Sequence, residues 1–282
     1  MATSIYNLDT KIQEQIIEAY KNNMSIREIQ RNYGATRPSV SQFLEEKGIK
    51  KSKGNHYRKY FHDFDFFETI DTEEKAYWLG FMYSDGYIVA SHEYGEDSFG
   101  LTLAMDSIDS IEKFKKSLKA TNPIRYDNSP QKGQKLAKLV CTSQKTVDDL
   151  IDKGVYKQKS LILKPPKKVP QELLRHFIRG FFDGDGTITK YFSTGDNRVH
   201  FGISFTTTYE VAVWLQEVLG GRGSVFPDKR REHTWYYSIG GNRQVLKLCH
   251  YMYEEATIWM DRKYSRYQEL LKMYDENQGS IV

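Results

Sequence analysis

The sequence has little of what marks a secreted, membrane-spanning or zinc-stapled chain. Only two of its 282 residues are cysteine, Cys141 and Cys249, and neither has a second Cys or a His at zinc-ligand spacing; His250 merely adjoins Cys249. That excludes a disulfide framework and a zinc finger, and two buried, reduced thiols in an intracellular protein are expected. No run of 18 apolar residues occurs, which excludes a membrane-spanning helix. The opening MATSIYNLDTKIQEQ lacks the charged-then-apolar pattern of a secretory signal. The seven histidines form no His-Asn-His cluster, so that nuclease type is not expected. The start at Met and the ending NQGSIV lack the His-Asn and nucleophile that splicing needs, which argues against an intein context. Proline is scarce, and three of the seven fall together in KPPKKVP, Lys164 to Pro170. Such a stretch cannot continue a helix and predicts an extended connector.

Charge of one sign is also nearly absent in bulk: 41 basic against 37 acidic residues leave a net +4. The distribution is more telling. KGIKKSKGNHYRKY (Lys47 to Tyr60) and DKRREH (Asp228 to His233) concentrate positive charge, as phosphate-binding surfaces do. Taken singly, each also fits a solvated linker or a charged hairpin tip. Apolar residues at 39% and aromatics at 14% suffice for a sizeable core, in one large domain or two to three small ones.

Residues 1–54 read as a small all-α domain of three short helices. Ile12, Ile16 and Ala19/Tyr20 form one apolar stripe. Ser25 and Glu28 form a capping box for a second helix that Gly34 ends. Thr36 and Pro38 open a third, with Val40, Phe43 and Leu44 facing inward. Its outward set, Arg37, Ser39, Ser41 and Gln42, can donate to bases and phosphates. The stretch SIREIQRNYGATRPSVSQFLEEKGI resembles the helix-turn-helix regions of DNA-binding proteins; a helical bundle without a DNA role is the alternative.

Beyond a basic linker lies an internal repeat, in residues 55–166 and 167–282. Asp85-Gly86-Tyr87-Ile88 matches Asp185-Gly186-Thr187-Ile188, and FGLTL (Phe99 to Leu103) matches FGISF (Phe201 to Phe205). Helical and alternating segments then follow in the same order in both halves. The fold class is therefore α+β: two pseudo-symmetric αββαββα halves, each an antiparallel sheet with helices on one face. Lys132, Lys135 and Lys138 in the first half, and Arg198, Lys229, Arg230 and Arg231 in the second, are candidates to line the open faces.

Each half begins with a helix whose small residues recur every four positions: Ala76, Gly80 and Ser84 in one, Gly180 and Gly184 in the other. Asp71 and Glu74 are read as a capping box for the first. Small residues four apart share a face and let two backbones approach closely. If those seams pack together, Asp85 and Asp185 leave neighbouring helix C-termini. Carboxylates repel there, and each helix end adds about −0.5 of an elementary charge. A single Asp-Gly after a helix is commonly a turn. Two of them, each after a small-residue helix and each opening a repeat, call for a cation. Carboxylates, with the helix-end carbonyls of Ser84 and Gly184, suit a hard divalent ion. Gly86 and Gly186 are expected to let the chain turn sharply out of each helix.

WLGFMYSDG (Trp78 to Gly86) and IRGFFDGDG (Ile178 to Gly186) resemble the two motifs of the LAGLIDADG homing endonucleases in their double-motif, single-chain form. The second motif is the closer match; in the first, Tyr83 stands where an acid is common. The resemblance implies that Asp85 and Asp185 bind divalent ions, Mg²⁺ with Ca²⁺ or Mn²⁺ as substitutes, for hydrolysis of both DNA strands. It implies saddle-shaped sheets over double-stranded DNA, 3′ overhangs, an asymmetric target and a monomer. A bacterial, phage or organellar setting follows, in an intron or other mobile element. It also implies a basic residue late in each half, which YKQKS and DRKYS place at Lys159 and Lys263. Gln144, Thr206 and Gln244 remain open as further polar residues of the site. A non-cleaving transcription regulator and an RNA-binding intron maturase are the alternatives on the same scaffold.

Overall fold

The computed structural model describes residues 2–21, 24, 26–49, 59–91, 95–128, 133, 135–157, 159, 162–195 and 197–276. They fall into two compact units: one is residues 1–60 with 91–96, the other residues 61–90 with 97–282.

In the first unit the apolar spacing yields α1 (Thr10–Lys21), α2 (Ile26–Tyr33) and α3 (Arg37–Glu46). Ile16, Ile29, Val40, Phe43 and Leu44 close a core with Ile5 and Ala35. Gly34 ends α2 at φ +67°, a backbone that favours glycine. The next two residues form the turn into α3, and Thr3 pairs with Ala35 as a short parallel bridge. Thr36 caps α3 without a side-chain bond; its hydroxyl donates to Ser39 Oγ (2.9 Å). Ser25 of the expected capping box lies outside the described residues.

The second unit repeats one order twice: α4 (Glu73–Ser84), β1 (Gly86–Val89), β2 (Ser98–Ala104), α5 (Ile108–Ser117), β3 (Arg125–Asn128), β4 (Lys135–Thr142) and α6 (Gln144–Asp152). Then come α7 (Leu174–Asp185), β5 (Gly186–Ser193), β6 (Arg198–Thr207), α8 (Tyr209–Val218), β7 (Ser224–Pro227), β8 (Trp235–Gly240) and α9 (Asn242–Tyr253). A further helix, α10 (Asp261–Glu276), lies at the end of the second repeat. Each sheet is antiparallel, in the orders β1-β2-β4-β3 and β5-β6-β8-β7. Alternation buries Phe99, Leu101, Leu103, Ala137, Leu139 and Cys141 of the first sheet and Phe201, Ile203, Phe205, Tyr237 and Ile239 of the second in one continuous core. No described helix is long and apolar enough to cross a membrane. Cys141 and Cys249 are buried free thiols.

The start of α4 differs from expectation. Thr72, not Asp71, is the N-cap, its hydroxyl accepting from Lys75 N (3.3 Å). Asp71 instead pairs with the Lys75 ammonium (2.8 Å). Adjacent Asp and Thr are both good caps, and α4 is buried throughout from Ala76 to Ser84. The seam forms as read. A Cβ on Gly80 would lie 2.0 Å from Phe177 O, one on Gly180 1.9 Å from Tyr77 O, and one on Gly184 1.8 Å from Ser84 Oγ. No side chain fits there, so α4 and α7 touch backbone to backbone. Phe81, Phe181 and Phe182 point off this seam and are buried.

Candidate active site

Asp85 is the C-cap of α4, and Asp185 is the last residue of α7. A Cβ on Gly184 would lie 3.4 Å from Asp85 N, so the two helix ends abut. Neither Gly86 nor Gly186 turns the chain through a left-handed backbone; Gly186 is extended (φ −88°). Closeness requires them instead. A Cβ on Gly86 would lie 2.6 Å from Met82 Cα, and one on Gly186 2.0 Å from the Phe182 ring.

Both carboxyls are raised above the ordinary carboxylate range. Burial raises Asp85, against the pull of Lys263, Lys159 and Arg262. Burial and then the charge of Asp85 push Asp185 up to about 7. A buried acid raised further by the charge of its neighbour is what a low-dielectric pocket at two helix C-termini should produce.

The two expected lysines converge on the same ends, both almost fully buried. Lys159 Nζ donates to the carbonyls of Ser84 and Gly86, each at 2.5 Å, on either side of Asp85. Lys263 Nζ donates to those of Phe182 (2.5 Å), Asp183 (2.7 Å) and Gly184 (3.1 Å). Each ammonium thus bonds carbonyls at or just beyond a helix end, and offsets its negative pole. Burial lowers both lysines, Lys263 to about 8.

A cavity of about 150 Å³ opens beside Asp185. Lys159 and Ser84 of the first repeat line it together with Thr206, Thr207 and Arg231 of the second. Of the three open candidates, Thr206 alone lines it. Gln144 accepts from Asp97 N and donates to Asp148 at the start of α6. Gln244 lines a separate groove between the end of α8 and α9.

The basic surface residues divide. Register places Lys138 opposite Thr102 and Arg125 on the open face of the first sheet, where its ammonium sits over the Tyr87 ring at 5.6 Å. Lys135 has the alternation of buried Ala137 and Leu139, so it is exposed at the strand end rather than set on that face. Lys132 lies outside the described residues. Arg198 is paired with Ser193 in the register and shares the open face of the second sheet with Tyr191, His200, Thr206 and Tyr236. Lys229 and Arg230 are exposed in the β7–β8 turn. Arg231 is tied to Asp228 Oδ2 (2.9 Å) and Tyr236 Oη (3.1 Å), and its charge bears on Asp185. In the N-terminal unit Arg37 and Gln42 are exposed, bonded to Gln30 and Glu46, and Ser41 is half-buried. Ser39 does not project outward as expected. Its hydroxyl accepts from Ile5 N (3.0 Å) and donates to Thr36 O (3.0 Å), tying the N-terminal segment to α3.

Three residues of the helix pair and its surroundings escaped the sequence reading. Asp183 is fully buried, Arg179 is a buried guanidinium, and Arg262 adds charge near Asp85. Arg179 donates to Glu73 Oε1 (2.6 Å), Met252 O (2.7 Å) and Ile258 O (2.9 Å). Arg262 was visible beside Lys263 in DRKYS; the partners of the other two are far away in sequence.

As a donor set, the two carboxylates suit a hard divalent cation, whose charge would relieve their repulsion. The carbonyls of Ser84 and Gly184 accept from lysines here, so the carboxylates are the principal ligands on offer. Among the described residues, no group of three or more Cys, His, Asp and Glu side chains offers a competing metal site.

No curated protein matches the sequence. A family model described as a LAGLIDADG-like domain matches residues 172–252. Among solved structures, the I-LtrWI LAGLIDADG homing endonuclease bound to target DNA aligns with a TM-score of 0.52 at 13% identity, covering 72% of this chain and 91% of that one. The LAGLIDADG meganuclease I-AabMI bound to uncleaved DNA aligns at 0.51 and 12%, covering 72% and 91%. The I-SmaMI LAGLIDADG homing endonuclease bound to cleaved DNA aligns at 0.50 and 13%, covering 75% and 93%. The second repeat thus matches a LAGLIDADG-like domain over residues 172–252, and the two repeats together share the fold of the LAGLIDADG homing endonucleases with which they align.

Proposed function

We propose that this chain is a site-specific endonuclease that hydrolyses both strands of a long, asymmetric DNA duplex and leaves 3′ overhangs. The observation that carries this is the pairing of Asp85 and Asp185 at two abutting helix ends. They stand at the foot of two sheets with polar, basic open faces. The structural neighbours bound to DNA, one of them to cleaved DNA, agree with it.

Asp85 and Asp185 would hold a divalent cation, Mg²⁺ in the first instance, which supplies Lewis acidity and neutralises charge at the scissile phosphate. The chain's own groups set the stage. The seam fixes the separation of the two carboxylates. Lys159 and Lys263 hold the helix-end carbonyls and keep positive charge beside both acids, where negative charge develops as phosphate is attacked. Lys138, Arg198, Lys229 and Arg230 would contact phosphates and set register, with neighbouring strand side chains reading bases. Different residues on the two sheets make the target asymmetric. Both acids lie in one chain, so a monomer suffices. The N-terminal unit, as a helix-turn-helix with Arg37, Ser41 and Gln42 toward DNA, extends the footprint.

The test is cleavage of randomised duplex DNA with Mg²⁺, sequencing the cut ends. Asp85→Asn and Asp185→Asn should each abolish double-strand cutting while binding stays measurable. Undiminished cutting by either variant would overturn the assignment.

A further inference from the structure

In each repeat, the residue two positions before the acid ties down the segment that carries a lysine. In the first repeat it is Tyr83, buried, whose Oη donates to Lys153 O at 2.6 Å. Lys153 is the C-cap of α6. Gly154 follows at φ +103°, and a Cβ there would lie 2.0 Å from the Tyr83 hydroxyl. The end of α6 and the phenol are therefore fitted to one another. Six residues on, the chain reaches Lys159.

The second repeat solves the same problem with different chemistry. Asp183, fully buried, accepts from Tyr253 Oη (2.6 Å) on one oxygen, and from Tyr77 Oη (2.9 Å) and Met260 N (2.8 Å) on the other. Tyr253 is the last residue of α9, and Met260 immediately precedes α10. Three residues later Lys263 donates to the carbonyls at the end of α7, with its own N–H on Met260 O (3.1 Å). The departure of the first motif, a tyrosine in place of an acid, thus keeps the tether and changes its chemistry. One neutral donor holds one carbonyl where the other repeat uses a carboxylate with three donors.

We propose that Tyr83 and Asp183 are positioning residues, each setting the placement of its own repeat's lysine, so that losing one tether slows the cutting of one strand and spares the other. The strand-cutting half rests on the endonuclease reading; the placement half does not.

Two measurements separate them. The first is lysine acylation of the metal-free full chain, read by mass spectrometry. Lys159 and Lys263 are 8% and 4% exposed and so protected. Tyr83→Phe should raise labelling of Lys159 about fivefold, the effect of one lost hydrogen bond, and leave Lys263 unchanged. Asp183→Asn should do the reverse. Should Asp183→Asn fail to fold, with all lysines labelled alike, Tyr253→Phe removes a single donor and carries that arm. Unchanged labelling, or both lysines rising together in a folded variant, overturns the proposal.

The second is cleavage of a duplex labelled on each strand. Tyr83→Phe should accumulate a nick, with one strand slowed on the order of tenfold, and Asp183→Asn should accumulate the complementary nick. Equal slowing of both strands overturns the strand assignment. A wild-type chain that cuts no duplex sinks the endonuclease reading, while the labelling pattern still decides the tethers.

Discussion

Asp185 carries the sharpest consequence at the scale of single residues. Its carboxyl titrates near pH 7 in the folded chain against about 4 when unfolded. Between those values the folded state binds the extra proton, so its contribution to stability is complete at low pH and is lost as pH rises through about 7. Metal-free protein should therefore lose on the order of 2–4 kcal/mol between pH 4 and 7.5 from this group. Asp185→Asn should flatten that fall, and Mg²⁺ should offset it. Denaturant melts in a chelator across this range check the expectation; an equally steep fall in the variant refutes it. Arg179 gives a second prediction. Its guanidinium is buried and bonded to Glu73 and two carbonyls. Arg179→Ala should cost about 3–5 kcal/mol in a urea titration, and Arg179→Lys should not restore it, because an ammonium cannot reach the same planar set. These positions also mark the limit of what the sequence reveals. Asp85 and Asp185 were legible because glycines and repetition frame them. Asp183 and Arg179 were not, because Tyr77, Glu73, Tyr253 and Met260, which define their roles, become neighbours only after folding.

The helix pair is the element on which the site depends, and it was the most legible part of the fold. Ala76, Gly80 and Ser84 facing Gly180 and Gly184 leave a strip of only small side chains or none, and a four-residue interval is a local signal. The strands were legible through their alternation, and the cap of α4 was misread by one residue because Asp71 and Thr72 compete on equal terms. The seam itself can be tested by adding single carbons. Gly180→Ala gains about 1 kcal/mol of helix propensity, yet its Cβ would meet the backbone oxygen of Tyr77. A net loss of about 2 kcal/mol is expected. No side-chain change can relieve it. Gly184→Ala meets the side chain of Ser84 instead, so Ser84→Gly in the same chain should recover most of the loss. Thermal melts of the two glycine variants, each with and without Ser84→Gly, decide this. If Ser84→Gly rescues Gly180→Ala equally well, the seam is not packed backbone to backbone at Gly180.

At the scale of the whole molecule, the two compact units carry different duties in the proposed function. The body contains both acids and both lysines, so the chemistry needs nothing from the N-terminal unit. That unit has its own core around Ile16, Ile29, Val40 and Phe43, and it exposes Arg37 and Gln42 on α3. A DNA-binding unit joined to the body by a linker acts through effective concentration: once the body is on its target, a second contact to flanking DNA is intramolecular. Its contribution should therefore fall on affinity and not on the cutting step. Deleting residues 1–54 should raise the dissociation constant for a long target by roughly tenfold or more. The single-turnover rate on saturated DNA should change little. The steepness with which affinity falls as salt rises should also decrease, because fewer phosphates are contacted. Binding isotherms on long and trimmed duplexes at two salt concentrations test each part. An unchanged dissociation constant on the long duplex would remove the N-terminal helices from DNA recognition and leave them a self-contained bundle.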